Sequence, residues 1–378
     1  MDDFQVFVKP VGASCNLACT YCYYLDKSEL LAESGLHRMA DDLLEHYIIQ
    51  HIQASTDQTV FFSWHGGEPT LAGLDYFRRI VELQKKHLPA NRAAVNGVQT
   101  NGTLLTGEWC RFLKKENFAV GISFDGPERF HSINRFQKDG QPCFDKVLQA
   151  YQLLKLHEIP CEILCVVHAQ NVRYPLEVYR FFKSLKAEFL TFIPLAERLS
   201  PKSNQVSERT VPAKAYGEFL CAIFDEWKTS DIGTVKIQIV EEALRTAFGL
   251  DHSLCIFKPV CGRVPVIEHN GDFYSCDHFV DPAHRLGNIR QQSLSELLEH
   301  PEQQAFGQAK SDTLPAYCLK CEVRNFCNGA CPKDRFMHTP DGDSGLNYLC
   351  EGYKLFFTCC KPFADQVAEV WKNSGQSL

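Results

Sequence analysis

Short runs of β-branched and aromatic residues recur along the first two-thirds of the chain, separated by stretches with helical periodicity. The runs are FQVFVKP (4–10), TVFFSW (59–64), AAVNGVQT (93–100), FAVGISF (118–124), CEILCVV (161–167) and EFLTFIP (188–194). Each predicts a strand. Between them, Leu74, Phe77, Ile80 and Val81 share one helical face, with Arg78, Arg79 and Glu82 away from it, and FDKVLQAYQLLKLH (144–157) is a second amphipathic stretch. Strand–helix alternation means parallel strands with right-handed crossovers. Six such units predict an α/β fold, an open six-stranded barrel. A complete eight-unit barrel would need two further strands before residue 240, and the pattern offers none.

The segments that follow the strands are polar or glycine-rich. CNLACTYC (15–22) follows the first, HGGEP (65–69) the second, TNG the third, and DGP (125–127), with His131 and Arg135 beyond it, the fourth. In such barrels chemistry gathers at the carboxyl ends of the strands, so these four loops are expected to surround one mouth. Gly66 and Gly67 let backbone approach a ligand closely. Taken alone, HGGEP reads equally well as a plain turn.

From about residue 236 the alternation stops. VKIQIVEEALRTAFG predicts an amphipathic helix, VIEHNGDFYSC (266–276) a β-hairpin with Asn-Gly at its turn, and GYKLFFTCCKPFADQVAEVWK a terminal helix packing back onto the protein. This divides the chain into a barrel domain, 1–235, and a second domain, 236–378.

Composition narrows the classes. The 378 residues are 45% hydrophobic with a net charge of -7 and no lysine–arginine block, which argues against a nucleic-acid surface. The opening MDDFQVFVKP lacks the apolar core of a signal peptide, and no apolar run reaches membrane-span length. The expectation is a cytoplasmic protein, away from membranes.

Eighteen cysteines are the anomaly. Without an export signal they point to metal or redox chemistry rather than disulfides. Cys15, Cys19 and Cys22 form one group; Cys255, Cys261, Cys276, Cys318, Cys321, Cys327, Cys331 and Cys350 form a second. The other seven (Cys110, Cys143, Cys161, Cys165, Cys221, Cys359 and Cys360) read as packed thiols, since free cysteine behaves as a small hydrophobe. Structural zinc takes four ligands, and ferredoxin-type clusters normally take four thiolates. Three thiolates on a four-iron cluster leave one iron open. The later eight suffice for two four-thiolate sites, and sequence alone leaves a pair of zinc ribbons open.

The C-x3-C-x2-C loop, with Tyr21 before its third cysteine, resembles the radical S-adenosylmethionine signature, whose 4Fe-4S cluster binds the cofactor's amine and carboxylate at its open iron. The resemblance makes Gly66, Gly67 and Glu68 the motif that meets the methionine amine. By position, Ser123 and Arg135 hold other polar groups of the cofactor, and Leu195 lies near the adenosine. The later cysteines resemble the SPASM extension, which implies auxiliary cluster I on Cys255, Cys261, Cys276 and Cys331 and auxiliary cluster II on Cys318, Cys321, Cys327 and Cys350. KPVGASCNLACTYCYYL, GGEPTLAGL, QTNGTLL, DGP with HSINR, RLGNI and LNYLCEGYKLFF resemble the anaerobic sulfatase-maturating enzymes over almost the whole chain. His65 stands where that family leads one to expect glutamine.

What the resemblance implies is a partial barrel with a SPASM domain, three 4Fe-4S clusters and S-adenosylmethionine. The substrate is a sulfatase polypeptide, whose cysteine or serine becomes Cα-formylglycine. An electron from the first cluster cleaves the cofactor to a 5′-deoxyadenosyl radical, which takes a hydrogen from the target β-carbon. A proton and one more electron must then leave. Asp277, beside Cys276, matches the family's base, with Asp281 and His278 as rivals close in sequence and His131 as a structural residue. The auxiliary clusters accept the electron. A flavodoxin or ferredoxin as reductant and a monomeric state follow by the same resemblance. Two other readings stand beside it: a SPASM enzyme that crosslinks peptides, disfavoured because the first strand starts within ten residues of the N-terminus, and a non-enzymatic electron carrier or zinc-stabilised interaction protein.

Overall fold

The computed structural model describes residues 4–24, 27, 37–200 and 203–374. Met1, Asp2 and Asp3 of the acidic start, and Leu25 at the end of the first motif, lie outside the described residues. The strands used below are β1 (Phe7–Val8), β2 (Thr59–Trp64), β3 (Ala93–Thr100), β4 (Phe118–Ser123), β5 (Cys161–Val167), β6 (Phe189–Pro194), β7 (Lys236–Ile237), β8 (Val266–Ile267), β9 (Asp272–Tyr274) and β10 (Arg285–Asn288). The helices used below are α1 (Asp41–Ala54), α2 (Leu74–His87), α3 (Gly107–Lys115), α4 (Phe144–Leu156), α5 (Pro175–Ser184), α6 (Ala213–Ser230), α7 (Gln238–Phe248), α8 (Pro301–Asp312) and α9 (Cys350–Asn373). All six expected runs form strands, the first only two residues long.

The chain forms two compact units. The first comprises Met1–Ser123, Ser132–Cys161 and Gly262–Gly307. Its strands run in the order β10-β9-β8-β1-β2-β3-β4. β1 to β4 are parallel neighbours, and β1 also pairs in parallel with β8, matching Phe7 to Val266 and Val8 to Ile267. The hairpin read from Asn270-Gly271 is present: β8 and β9 are antiparallel, and Gly271 sits at φ +89°. Its docking on β1 is the feature that pattern alone did not give.

Alternation drives these strands inward. Val60, Phe62 and Trp64 of β2 are buried while Phe61 is exposed. α2 buries Tyr76, Phe77, Ile80, Val81 and Leu83, at about 1.5–3 kcal/mol for each large side chain. Asp75 lies in its first turn and Lys85, Lys86 and His87 in its last, the charge order its dipole favours. Thr106 caps α3 by accepting from the Trp109 N–H at 3.4 Å.

The second unit comprises Phe124–His131, Glu162–Cys261 and Gln308–Leu378. In it β5, β6 and β7 are parallel. The run expected to be one helix from Val235 opens instead with β7, because Val235 and Ile237 face inward around exposed Lys236, a period of two that ends where α7 begins. The terminal helix, α9, packs on α6 and α7. Gly217 and Gly352 permit that packing: a Cβ on Gly352 would stand 2.2 Å from the Ala213 carbonyl oxygen. Among the described residues, no helix is long and apolar enough to cross a membrane.

Candidate active site

The cysteine loop and the HGGEP loop are joined backbone to backbone. Gly67 donates its N–H to the Gly12 carbonyl at 2.9 Å, and Glu68 to that of Ser14 at 2.8 Å. A Cβ on Gly67 would lie 2.1 Å from the Ser14 oxygen, so only glycine fits. Gly66 holds φ +133°. The Cys15 thiol accepts from the Leu17 N–H at 3.4 Å and the Asn101 side chain at 3.7 Å, and it lies within electrostatic reach of Cys22. TNG after β3 therefore braces the same loop, as the barrel-mouth expectation requires.

Glu68 is fully buried, and its oxygens take four donors: the Thr70 N–H and hydroxyl, the Thr100 hydroxyl and the Asn101 N–H, at 2.6 to 3.0 Å. Burial pushes its carboxyl up, and these donors oppose that rise. The side chain is a hub tying the loop after β2 to the loop after β3. Ser123 ends β4 and accepts from Gln99 at 3.3 Å. Arg135 is buried with its guanidinium 5.4 Å from the Tyr21 ring centroid. These residues share the first unit; Leu195 is in the second, buried, with backbone bonds to Val167 and Val211.

Asp277 follows the β8–β9 hairpin and meets two residues from the cysteine side of the unit. Its Oδ1 lies 2.5 Å from Lys9 Nζ, and its Oδ2 accepts from the Tyr23 hydroxyl. Burial alone would raise the Asp277 carboxyl. The Lys9 ammonium, His278 and the Tyr23 hydrogen bond override that and hold it at about 2. Lys9 is itself buried and stands over the Tyr24 ring at 4.5 Å. Tyr24 donates to the buried Glu268 of the hairpin turn. His65 stacks on Phe7, centroids 3.9 Å apart, and burial, with Lys9 nearby, pushes it down to about 3. It is a neutral imidazole at physiological pH.

The rivals of Asp277 separate. Asp281 caps a short turn, accepting from the Ala283 and His284 N–H groups, and pairs with His284 at 2.8 Å. His278 packs against Tyr23, ring centroids 4.9 Å apart. His131 is buried and accepts from the Asp125 N–H at 3.3 Å, as befits a brace.

In the second unit the thiols of Cys318, Cys321, Cys327 and Cys350 lie within electrostatic reach of one another. Cys255, Cys261 and Cys331 gather around Lys310. Burial pushes Cys327 up to about 12 and Cys331 and Cys350 to about 11. Thiols so placed ionise only where positive charge offsets the loss of water, which is what bound iron provides. Among the described residues, no three His, Cys, Asp or Glu side chains come together tightly enough to hold a single metal ion.

Residues 10–182 match the Radical SAM superfamily and residues 260–322 the SPASM iron-sulfur cluster-binding domain. The chain is 43% identical to the serine-type anaerobic sulfatase-maturating enzyme of Bacteroides thetaiotaomicron, over 97% of this chain and 92% of that protein. It is 34% identical to the cysteine-type enzyme of Clostridium perfringens, over 97% and 99%. The chain belongs to the anaerobic sulfatase-maturating enzymes.

The solved structure of native anSMEcpe with bound AdoMet and Kp18Cys peptide superposes with a TM-score of 0.88 at 34% identity, covering 98% of this maturase and all of that chain. The fold is thus the radical SAM partial barrel with a SPASM extension. Streptococcus suis SuiB, at 14% identity and a TM-score of 0.63, shares the fold. Sequence reasoning missed the two residues that hold the Asp277 carboxylate, Lys9 and Tyr23. A signal for Lys9 existed: a lysine closing an apolar strand is rarely buried without a partner. Tyr23 is half exposed, and its sequence gave no comparable signal.

Proposed function

We propose that this maturase oxidises one cysteine or serine of a sulfatase polypeptide to Cα-formylglycine with Asp277 as the proton acceptor. The observation that carries the reading is the bridge from cysteine loop to hairpin: Tyr23, next to Cys22, donates to Asp277, next to Cys276. When bound, the first 4Fe-4S cluster and S-adenosylmethionine supply a 5′-deoxyadenosyl radical that takes the target's β-hydrogen.

The chain's own residues do the rest. Cys15, Cys19 and Cys22 hold the cluster, and Gly66 and Gly67 bring backbone to the cofactor's amine end. Glu68 acts through the loop it fixes. Tyr21, Ser123 and Arg135 would line the cofactor, and Leu195 is assigned to its adenosine by the family resemblance alone. Lys9 keeps Asp277 ionised, so the carboxylate is always ready to receive the target's thiol or hydroxyl proton at one oxygen. Auxiliary cluster I is assigned to Cys255, Cys261, Cys276 and Cys331 and auxiliary cluster II to Cys318, Cys321, Cys327 and Cys350, with the SPASM domain beginning at 236. The reductant is a flavodoxin or ferredoxin, and the enzyme works as a cytoplasmic monomer.

An anaerobic assay of the reconstituted protein tests this, with S-adenosylmethionine, a reductant and two peptides, one containing C-x-P-x-R and one S-x-P-x-R. Aldehyde on either peptide, seen by mass spectrometry, supports the reading and fixes the substrate type. 5′-Deoxyadenosine with no aldehyde on either peptide, from iron-replete protein, would sink it.

A further inference from the structure

Two cations of the second unit, Lys310 on α8 and Arg335, stand among the auxiliary thiols. Lys310 is almost fully buried, its Nζ bonded to the carbonyl oxygens of Cys255 at 2.9 Å and Ile256 at 2.8 Å. Arg335 spends its guanidinium on four carbonyls: Gly329 at 2.9 Å, Lys310 at 2.6 Å, Asn328 at 2.9 Å and Ala330 at 3.4 Å. The 328–330 loop joins Cys327 to Cys331, one thiol from each proposed auxiliary set. Gly329 lets the fork in: at φ +72°, a Cβ there would stand 2.5 Å from Arg335 Nη2.

Neither cation pairs with a carboxylate among the described residues. A cation withdrawn from water needs an opposite charge, and the groups placed to supply it here are the cysteine sulfurs, which would be negative as cluster-bound thiolates. Lys310 lies within electrostatic reach of Cys255, Cys261 and Cys331. Arg335 reaches Cys261 and Cys331 and also Cys318 and Cys327. A guanidinium remains charged at any working pH.

We propose that Arg335 and Lys310 are positioning residues that raise the electron affinity of the auxiliary clusters, Arg335 acting on both and Lys310 on cluster I alone. The inference rests on the proposed ligand sets. Cluster potentials respond to nearby charge and hydrogen bonding, and a fixed cation favours the more negative, reduced state. Electron uptake from the substrate is the service the reaction asks of this domain, and the two cations bias it in that direction.

The test is an EPR-monitored redox titration of the anaerobically reconstituted full-length holoenzyme. In Arg335→Gln both auxiliary midpoints are expected to fall, with iron content unchanged, and Arg335→Lys restores most of the shift. In Lys310→Met one midpoint falls and the other stays. Unmoved midpoints in iron-replete Arg335→Gln overturn the proposal. Should that variant fail to load iron, Lys310→Met decides: an unmoved midpoint, or an iron loss that Lys310→Arg shares, makes these residues braces and overturns the electrostatic role. Wild-type enzyme with no auxiliary signal would instead refute the ligand sets themselves.

Discussion

Asp277 is a carboxylate whose environment settles its charge before any substrate arrives. Its folded value of about 2 lies below the ordinary value near 3.9. The stability it contributes is therefore present above about pH 4 and lost as pH falls toward 2. Between about pH 5 and 8 neither Asp277 nor the neutral His65 changes protonation. An inflection of kcat/KM in that range then belongs to another group, such as the target thiol, and His65→Gln should leave its position unmoved; a shifted inflection would show that His65 titrates in the working enzyme. Asp277→Asn should retain iron and cofactor cleavage while aldehyde formation falls about 10²–10⁴-fold, the usual span for a general base. Full activity in that variant would end the base assignment. Lys9→Met leaves the buried carboxylate unpaired, a change worth about 3–5 kcal/mol. Chemical denaturation should show that loss, and adding Asp277→Asn should recover much of it.

The strands and the loops after them were legible at the level of elements because period-two alternation and glycine placement are local signals. TVFFSW, AAVNGVQT and CEILCVV became β2, β3 and β5 residue for residue. The parallel docking of β8 on β1 was not legible. It joins positions some 260 residues apart through two residue pairs, and nothing in VIEHNGDFYSC names its neighbour. The same limit hid Lys9, whose partner arrives on that hairpin. The element that delivers Asp277 is thus held by a turn, and Gly271 is where it can be tested. At φ +89° any side chain is strained, and a Cβ would stand 2.9 Å from Asn288 Oδ1. Gly271→Ala should cost about 1–3 kcal/mol. It should lower aldehyde yield more than cofactor cleavage, because it disturbs Asp277 and leaves the Gly67–Gly12 junction intact. Equal losses in the two readouts would mean that the hairpin also supports the first cluster.

At the scale of the molecule, the eighteen cysteines sort by task in a way that composition only hinted at. Five of the seven unassigned ones are buried, as packed thiols should be; Cys221 and Cys359 are half-buried, and the Cys221 thiol on α6 donates to the Leu355 carbonyl of α9 at 4.0 Å. On the proposed ligand sets, the remaining eleven divide between a loop of three that would leave a coordination position open and a set of eight that can saturate two clusters. Openness is what cofactor cleavage needs, and saturation suits electron handling, so the two groups should fail differently. Cys15→Ala should abolish 5′-deoxyadenosine formation and product together. Cys318→Ala should remove roughly four irons and depress aldehyde formation while some 5′-deoxyadenosine still appears, since its thiol belongs to the set around Cys327 and Cys350 in the second unit. Iron analysis and chromatography on the same samples separate the two cases. If Cys318→Ala loses cofactor cleavage as completely as Cys15→Ala, the second unit is needed to assemble the first site, and the division of labour between open and saturated clusters is wrong.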